Sequence, residues 1–382
     1  MSFDSHPLVY LDENATATPY PPALESMYQW MQLGPSNASS VHQAGRRGRG
    51  AIEKSRRSVA HALGVNARHL TFCSGATEGI HQIILGHLKP QDHVIVSAVE
   101  HPAVWGALKR ADVEYSIVPV NDVGEINPED FRKAIQPNTR LGIMMYAQNE
   151  IGTCYPIQQV AQVLGDIPLL CDAVQAWGKI PLNLEESGAQ FAVVSGHKIG
   201  GPMGVGCIWC KGGSALTPLL QGGAQERGRR AGTENIAAIV GLGVAAEAIE
   251  SRLSVMDQVQ KYKADLQTRL SEACPELQFV GTPSSPHSLP NTLCMVHPGL
   301  MGDLMLQRLD LMGVCISSGS ACSSGALEPS PILIAMGLDK TLAKSGLRVS
   351  LGPSTTEQDL DRFMEVFVPL CIELTQSPSS SF

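Results

Sequence analysis

The sequence predicts an α/β fold, with a large domain built around a mainly parallel sheet and a small α+β domain after it. Short apolar runs alternate with helical patterns from about residue 55 to 240, which is typical of βα repeats. Several runs are apolar on both faces, as expected of strands buried in a parallel sheet. After about residue 277 the pattern changes to short strands interleaved with helices. The chain has 382 residues and 43% hydrophobic content, which is enough for more than one core.

The elements of the large domain follow from apolar periodicity. A strand begins the segment TFCSGATEGIHQII (71–84), and a glycine turn and a helix follow it. Further strands are predicted at HVIVSAV (93–99), YSIVPV (115–120), LGIMMYA (141–147), IPLLCDA (167–173), FAVVSG (191–196) and GCIWC (206–210). Helices are predicted between them at 76–88, 102–111, 128–136 and 157–165. Residues 234–272 predict one long amphipathic helix or two joined helices, which lead into the second part.

The second part contains the apolar segments LQFVG, TLCMV, GVCIS and LRVSLG, with helical patterns at 300–311, 329–336 and 356–376. We expect residues 15–255 to form the large domain. Residues 1–14 and 256–382 are expected to form the small domain, with a mobile loop at about 317–328. No internal repeat is visible.

Composition excludes several classes of protein. A formal net charge of −8 with 17% charged residues argues against general nucleic-acid binding, which needs clustered Lys and Arg. The basic cluster at 46–57 lies in a helical pattern and is interpreted as a solvated helix face. No apolar run approaches the ~18 residues of a spanning helix, and no signal peptide is visible, so we expect a cytoplasmic protein.

The ten cysteines are scattered without framework spacing, which indicates reduced thiols in a reducing compartment. Cys207 and Cys210 form a CxxC pair, but they lie in a predicted strand. A period of two residues places them on opposite faces, so we expect them to pack in the core. No cysteine shows ligand spacing, and we therefore predict no metal site.

Lys198, in VVSGHKIGGPMGVG (193–206), is an unusual residue for the end of a buried strand. A buried ammonium costs several kcal/mol unless it is paired, and a lysine covalently held as an imine avoids that cost. Taken alone, Lys198 could equally extend to solvent. Ser195 and His197 add hydrogen-bonding groups beside it, and the glycines that follow permit close approach of the backbone. This composition suits a phosphorylated cofactor.

Pyridoxal phosphate needs a carboxylate against its ring nitrogen, and Asp172 in CDAVQAWG is at the end of a predicted strand. Gln175 is close enough in sequence to reach the ring hydroxyl. Phosphate binds well at a helix N-terminus, which Ala76 and Thr77 provide. Loop capping by Asp172 and ordinary capping of the helix remain alternative interpretations of these residues when each is taken alone.

With these residues, the chain resembles the cysteine desulfurases, which are fold-type I pyridoxal phosphate enzymes related to class V aminotransferases. The resemblance rests on motifs in the family's order, namely SGATE, EHPAV, QNEIGT, DAVQ, SGHK, RRAGTEN, SSGSACSS and GLRVSLG. It extends from LDENATATP (11–19) to RVSLGPSTTEQDL (348–360), nearly the whole chain. It implies a seven-stranded, mainly parallel sheet in the large domain.

The resemblance also implies roles for residues of the cofactor site. Lys198 would carry the cofactor as an imine, and His101 would stack on its ring and help to move protons. Asp172 would pair with the ring nitrogen, and Gln175 would bond to the ring hydroxyl. The phosphate would be held by Ala76, Thr77, Ser195 and His197, and by Thr233 of the neighbouring subunit in a homodimer.

For the substrate, the resemblance implies that Asn149 and Arg348 grip the carboxylate, with Asn14 close by. The arginine fork matches a carboxylate bidentately. Cys322, in SSGSACSSGALEPS, would be the nucleophile, and the small residues around it suit a segment that must move.

The predicted function is therefore a pyridoxal phosphate-dependent cysteine desulfurase. It would convert L-cysteine to L-alanine and leave the sulfur on Cys322 as a persulfide, for an acceptor protein in iron–sulfur cluster assembly or thiolation. A selenocysteine lyase or another class V enzyme is an alternative, and so is an inactive sulfur-relay or assembly subunit. The chain departs from the family pattern at Glu13, near the expected entrance of the site, and in GGAQERG before the RRAGTEN loop.

Overall fold

The computed structural model describes residues 8–214, 216–318 and 328–376. Its strands are β1 (Val9–Tyr10), β2 (Leu70–Cys73), β3 (His93–Ser97), β4 (Glu114–Val118), β5 (Thr139–Met145), β6 (Leu169–Asp172), β7 (Phe191–Ser195), β8 (Gly206–Cys210), β9 (Gln278–Val280), β10 (Thr292–Val296), β11 (Val314–Cys315) and β12 (Leu347–Ser350). Its helices are α1 (Pro21–Gln32), α2 (Gln43–Leu63), α3 (Ala76–His87), α4 (Pro102–Ala111), α5 (Pro128–Lys133), α6 (Ile157–Leu164), α7 (Ile236–Glu247), α8 (Ile249–Ser254), α9 (Met256–Ala273), α10 (Gly302–Leu311), α11 (Pro331–Ala335), α12 (Lys340–Lys344) and α13 (Glu357–Gln376).

Within the described residues the large sheet has seven strands in the order β2-β8-β7-β6-β5-β3-β4. Strands β3 to β7 run parallel to one another, whereas β8 pairs antiparallel with both β7 and β2. Strand β3 is buried along its whole length, and Ile95 packs in one core cluster while Val94 and Val96 pack in another. The predicted fold class, α/β with a mainly parallel seven-stranded sheet in the large domain, is confirmed.

The C-terminal part forms its own antiparallel sheet in the order β12-β10-β9, and β1 pairs in parallel with β11. One core cluster joins Val9 and Leu11 near the N-terminus to Leu266 on α9 and Phe363 on α13. The first described residues of the chain thus pack with its last helices. The domain boundaries at 14/15 and 255/256 agree with this packing but stay a prediction.

The segment 234–272 differs from its prediction, because it contains the separate helices α7, α8 and α9. Helix α7 is buried against α1 and α2, and a Cβ on Gly243 would lie 2.6 Å from Oγ of Ser55. Helix α9 buries Met256 and Val259 in the core that also holds α13. Two helices that serve two different cores cannot share one straight axis, so the helix breaks between them.

The polar residues singled out in the sequence lie at the carboxyl ends of the parallel strands. Asp172 is the last residue of β6 and Ser195 the last of β7, while His101 and Asn149 follow β3 and β5. Ligands in open α/β sheets bind at this edge. In the described part of the chain, no helix has both the length and the apolar character that a membrane crossing requires.

Candidate active site

Lys198 ends the short helical turn that follows β7. Its Nζ donates to the backbone carbonyls of Asn14 at 2.5 Å and Ala15 at 2.7 Å. Burial, together with the positive charge of Arg348, lowers the pKa of Lys198 to about 8, although Asp12 and Asp172 oppose that change. A lysine amine with such a pKa is partly unprotonated near neutral pH, and can act as a nucleophile or base.

Asp172 is buried, with 7% of its surface exposed. Its Oδ1 accepts a hydrogen bond from the backbone N–H of Val174 at 2.9 Å. Burial raises the pKa of this carboxyl, while that hydrogen bond and the charges of His101 and Lys198 act in the opposite direction. The pKa of His101 is lowered, first by desolvation in the cleft and then by the charge of Lys198. These three titratable groups therefore share one cleft.

His101 also caps α4, because its Nδ1 accepts from the backbone N–H of Ala103 at 3.1 Å. Pro102 follows at the first helical position, where its missing N–H costs nothing. An Nδ1 that accepts leaves Nε2 as the protonated nitrogen of the neutral ring. The His101 side chain is exposed to the cleft, which is where a stacking partner is expected.

The N-terminus of α3 begins at Ala76, directly after Gly75, and among the described residues no side chain caps its first turn. A Cβ on Gly75 would lie 3.7 Å from Oγ of Ser195, so the two strand ends are close together. A Cβ on Gly206 would come within 2.5 Å of the Val194 carbonyl oxygen and 2.8 Å of the Gly75 Cα. Only glycine fits at residue 206, and the uncapped amides of α3 thereby lie beside the Ser195 hydroxyl.

His197 lies one residue before Lys198, and its Nδ1 is 3.1 Å from Oγ1 of Thr16. Burial lowers the pKa of His197 to about 4, and the charges of Lys198 and Lys179 contribute to this. The imidazole is therefore neutral at physiological pH and acts as a hydrogen-bonding group rather than as a cation.

Gln175 contacts Asn14, and Asn14 in turn contacts Lys198. Nε2 of Gln175 donates to the Asn14 carbonyl at 3.0 Å, the same carbonyl that accepts from Lys198. The Asn14 side chain donates from Nδ2 to the Asn149 carbonyl at 3.0 Å and to Oγ1 of Thr292 at 2.8 Å. Asn14 is 1% exposed and its amide is engaged on both sides, so its direct contact with substrate stays a prediction.

Arg348 lies on β12, and its guanidinium reaches back to the end of β5. Nη1 donates to the Asn149 carbonyl at 3.0 Å, and Nη2 donates to Oδ1 of Asp12 at 2.6 Å. The buried Nε has no acceptor within the described residues. A guanidinium carries five N–H groups and these two bonds use two of them, so donors remain for an anionic group of a ligand.

One described residue of the predicted site, Thr233, is not brought to this cleft. Thr233 is exposed and lines a cavity with Ser74, Gly204 and Arg230. Cys322 and most of the expected loop at 317–328 lie outside the described residues.

Three residues at the site were not identified from the sequence. Lys179 is buried and donates to Oδ1 of Asn14 at 2.6 Å and to Oε1 of Gln175. Asp12 pairs with Arg348. Glu100 accepts from Oγ of Ser97 at 2.6 Å and from the backbone N–H of Met145 at 2.7 Å, and burial raises its pKa to about 8.

A sequence signal existed for two of these residues. Lys179 follows Gln175 by four residues, a spacing that places side chains together on one helical turn. Glu100 directly precedes His101, at the end of a predicted strand. For Asp12 no local pattern indicates a partner on β12.

Glu13, expected near the entrance of the site, is instead buried with 1% of its surface exposed. Its Oε1 accepts from the backbone N–H of Thr18 at 3.0 Å, and its Oε2 lies 3.7 Å from Nη2 of Arg252. Glu13 therefore ties the N-terminal segment to α8. Within the described ranges, no group of three or more His, Cys, Asp or Glu is arranged to hold a metal ion.

The two cysteines of β8 lie on opposite faces of the sheet, as the two-residue period of a strand predicts. Cys207 packs in one core cluster and Cys210 in the cluster on the other face of the sheet. The cysteines of the described ranges are unpaired thiols, and those of β8 are buried.

The donors and acceptors of the cleft fit pyridoxal phosphate. A partly unprotonated lysine suits its aldehyde, and Oδ2 of the buried Asp172 suits a protonated ring nitrogen. The uncapped N-terminus of α3 beside Ser195 suits its phosphate. The residues present therefore fit three polar groups of this cofactor, namely its aldehyde, its ring nitrogen and its phosphate.

Comparison with known proteins agrees with this geometry. The family model described as aminotransferase class-V matches residues 9–363. A cysteine desulfurase of Nostoc sp. is 38% identical over 371 residues, covering 94% of this chain and 92% of that protein.

Among solved structures, a NifS-like protein is 31% identical with a TM-score of 0.88, over 96% of this chain and all of its own. SspA in complex with cysteine is 29% identical with a TM-score of 0.77, over 91% of this chain and 99% of that chain. These similarities extend over the sheet, the cleft and the C-terminal part alike.

Proposed function

The chain belongs to the class-V aminotransferase family, and from that premise we propose that it is a pyridoxal phosphate-dependent cysteine desulfurase. The observation that carries the proposal is Lys198, an amine with a lowered pKa in one cleft with Asp172 and His101. Relatives that align with nearly the whole chain are cysteine desulfurases. One structurally similar protein, SspA, was solved in complex with cysteine. The substrate is L-cysteine and the products are L-alanine and protein-bound sulfur.

Bound pyridoxal phosphate supplies an electron sink for the bond that breaks at the substrate Cα. Asp172 holds the proton of the ring nitrogen, which a buried carboxylate with a free Oδ2 can do. Lys198 Nζ, with a pKa of about 8, takes the proton from the substrate Cα and later gives it back at a different atom. His101 is neutral and protonated on Nε2, so it can donate or relay a proton in the same cleft.

Arg348 and Asn149 bind the substrate carboxylate in this proposal. The guanidinium is pre-oriented, because Asp12 and the Asn149 carbonyl already hold two of its nitrogens while Nε lacks an acceptor. The Asn149 side chain accepts only a long bond of 3.4 Å from Gln148 at its Oδ1, so its amide nitrogen remains for the substrate. Holding the carboxylate here fixes which substrate bonds face Lys198.

Cys322 takes the sulfur. Its thiolate forms an S–S bond with the substrate sulfur as the substrate C–S bond breaks, and the electron pair of that bond goes to carbon. The carbon then takes a proton, which gives alanine, and the enzyme retains a persulfide. Atoms and electrons balance without an external oxidant.

We also propose a homodimer, with Thr233 completing the phosphate site of the partner subunit. Thr233 is exposed in the single chain, as this role requires. Leu24, Tyr28 and Met31 lie on one face of α1 with exposures of 47, 56 and 60%, an apolar stripe typical of an interface. A protein thiol, in iron–sulfur cluster assembly or thiolation, is the proposed acceptor, and the cytoplasm is the proposed location because the thiols are unpaired.

The test is to mix pure holoenzyme with L-cysteine and a reductant and to assay alanine and sulfide together. We expect equal amounts of both products from the native protein. The Cys322→Ala variant should bind the cofactor but release essentially no alanine. Without reductant, the native peptide that contains Cys322 should gain the mass of one sulfur atom.

Normal cysteine turnover by Cys322→Ala, or added sulfur on Cys315 instead, would contradict the assignment of the nucleophile. Selenocysteine run in parallel separates the lyase alternative. If Cys322→Ala loses activity with cysteine but keeps it with selenocysteine, the cofactor chemistry stands and the selenium substrate does not need the thiolate.

A further inference from the structure

Lys179 is a buried lysine that the mechanism above does not use. It follows the DAVQ motif, and 2% of its surface is exposed. Its Nζ donates to Oδ1 of Asn14 at 2.6 Å and to Oε1 of Gln175. Both acceptors are neutral side-chain amides, which is an uncommon environment for a buried amine, because buried lysines usually have a charged partner.

The charges that face Lys179 are mostly positive. Lys198, Arg252 and Arg348 lower its pKa in addition to the main effect of burial, while Glu13 raises it. Glu13 is itself paired with Arg252. A neutral amine has two N–H groups, and the two amide oxygens accept both of them. The site is therefore satisfied without a charge.

The contacts of Gln175 permit only one orientation of its amide. An amine N–H must meet an oxygen, so Oε1 faces Lys179. The Asn14 carbonyl must meet a donor, so Nε2 faces Asn14 at 3.0 Å. An amide NH₂ carries two N–H groups, and this contact uses one of them. The second N–H remains for a ligand in the cleft.

Asn14 is oriented by the same amine. Its Oδ1 accepts from Lys179 and from Nδ2 of Asn291 at 3.0 Å, which leaves Nδ2 to hold the Asn149 carbonyl. That carbonyl also accepts from Arg348. One amine thus donates to both amide oxygens, and these amides contact both the cofactor-side and the substrate-side residues.

We propose that Lys179 is a positioning residue that fixes the Gln175 amide so that an N–H, not the carbonyl oxygen, is presented to the ring oxygen of the cofactor. The inference rests on the proposed function, since it needs that cofactor in the cleft. A donor at this place favours the deprotonated ring oxygen, because hydrogen bonding to a charged form stabilises that form. Without Lys179, Oε1 loses its donor and only the contact with the Asn14 carbonyl still favours this orientation, so the amide is held less firmly.

The experiment compares Lys179→Met with the native holoenzyme. Methionine keeps the length and burial of the chain but offers no donor. We expect the pH at which the bound cofactor's visible band titrates to rise by roughly half a unit to one unit, the size of one hydrogen bond. The apo-protein should also bind pyridoxal phosphate more weakly, by about three- to tenfold, measured by titration.

Lys263→Met is the matched control. Lys263 is equally buried, but it lies on α9, and its hydrogen bonds within the described residues go to the Leu289 carbonyl at 2.7 Å and to Oγ of Ser288 at 3.5 Å rather than to the cleft. This variant should leave the visible band and the cofactor affinity unchanged. A shift of the same size in Lys263→Met would assign the effect to loss of any buried amine and overturn the proposal.

A double-mutant cycle separates positioning from a direct effect. If Lys179 acts through the amide, Lys179→Met should add no shift to a Gln175→Leu protein. A full additional shift there, or no shift in Lys179→Met alone, would overturn the proposal. Should Lys179→Met fail to fold, Lys179→Gln takes its place, since it is one atom shorter and cannot reach both acceptors.

Different results would contradict the proposed function and the positioning role of Lys179. A native protein that binds no pyridoxal phosphate, or that binds it without releasing alanine, contradicts that function. A native enzyme with normal turnover whose visible band is insensitive to Lys179→Met contradicts only the positioning role.

Discussion

Arg348 donates from Nη2 to Oδ1 of Asp12 at 2.6 Å, an ion pair that joins β12 to the first described segment of the chain. Asp12 also forms a β-bridge with Ser350. The pair holds the guanidinium plane so that Nη1 reaches the Asn149 carbonyl. The arginine is therefore held in one orientation by contacts within the chain, as its proposed role in binding a carboxylate requires.

Arg348→Lys should weaken use of cysteine by roughly tenfold or more in kcat/KM. A lysine keeps the charge but cannot bond Asp12, Asn149 and a substrate carboxylate from one rigid plane, and a charge-assisted hydrogen bond contributes about 1.5–3 kcal/mol. The visible spectrum of the bound cofactor should stay unchanged, which serves as the control. Unaltered steady-state kinetics would show that Arg348 does not bind the substrate carboxylate.

The pH dependence of cofactor capture should report the pKa of Lys198. The amine reacts only when unprotonated, so capture of pyridoxal phosphate by apo-protein should accelerate as pH rises and level off above about 8. Stopped-flow absorbance measures the rate, and borohydride should then fix the cofactor to the peptide 193–206.

Arg348→Met tests whether the charge of Arg348 contributes to the lowered pKa of Lys198. Arg348 is a positive neighbour that lowers the pKa of Lys198. Its removal should move the midpoint of the capture profile to higher pH. A midpoint that moves to lower pH, or capture that persists in Lys198→Ala, would contradict the assignment.

Asp172→Asn should stabilise the apo-protein while abolishing turnover. Burial raises the folded-state pKa of this carboxyl above its unfolded value, so its ionisation costs stability as pH rises through the raised pKa. Asparagine removes that cost and keeps the bond from Val174. We expect a higher apo melting temperature at pH 8 and little difference near pH 4. A lower melting temperature at pH 8 would show that the carboxylate stabilises the empty site.

Glu226→Gln should destabilise the fold by roughly 3 kcal/mol, because it removes the buried carboxylate that pairs with Arg56 and leaves it the partly exposed carboxylate of Glu53 at 3.1 Å. Arg56 contacts both oxygens of Glu226, at 2.7 and 2.8 Å, and each side chain is 3% exposed. Urea unfolding measures the loss. The control is Arg132→Ala, whose partner Glu129 lies 3.3 Å away at the surface, and which should cost less than about 1 kcal/mol. Similar costs for both variants would contradict the value assigned to the buried pair.

The positions of most elements could be predicted because they depend on local periodicity. Helix α4 begins at Pro102 and ends at Ala111, as the pattern at 102–111 predicts, and β8 spans the predicted GCIWC. The strand predicted in GVCIS is only Val314–Cys315, because its one partner is the two-residue β1. The length of a strand depends on its neighbours, and a neighbour far away in sequence leaves no local signal.

The sequence by itself determined the βα alternation and placed His101, Asp172 and Lys198 at or just after strand ends, since apolar period and motif order are properties of short segments. Only the tertiary structure decided that Asn14 accepts from Lys198, that Asp12 pairs with Arg348, and that Lys179 is buried among amides. These contacts join segments from opposite ends of the chain or depend on which side of a turn faces the core. Such choices follow from packing the whole sheet, and no short stretch of residues contains that information.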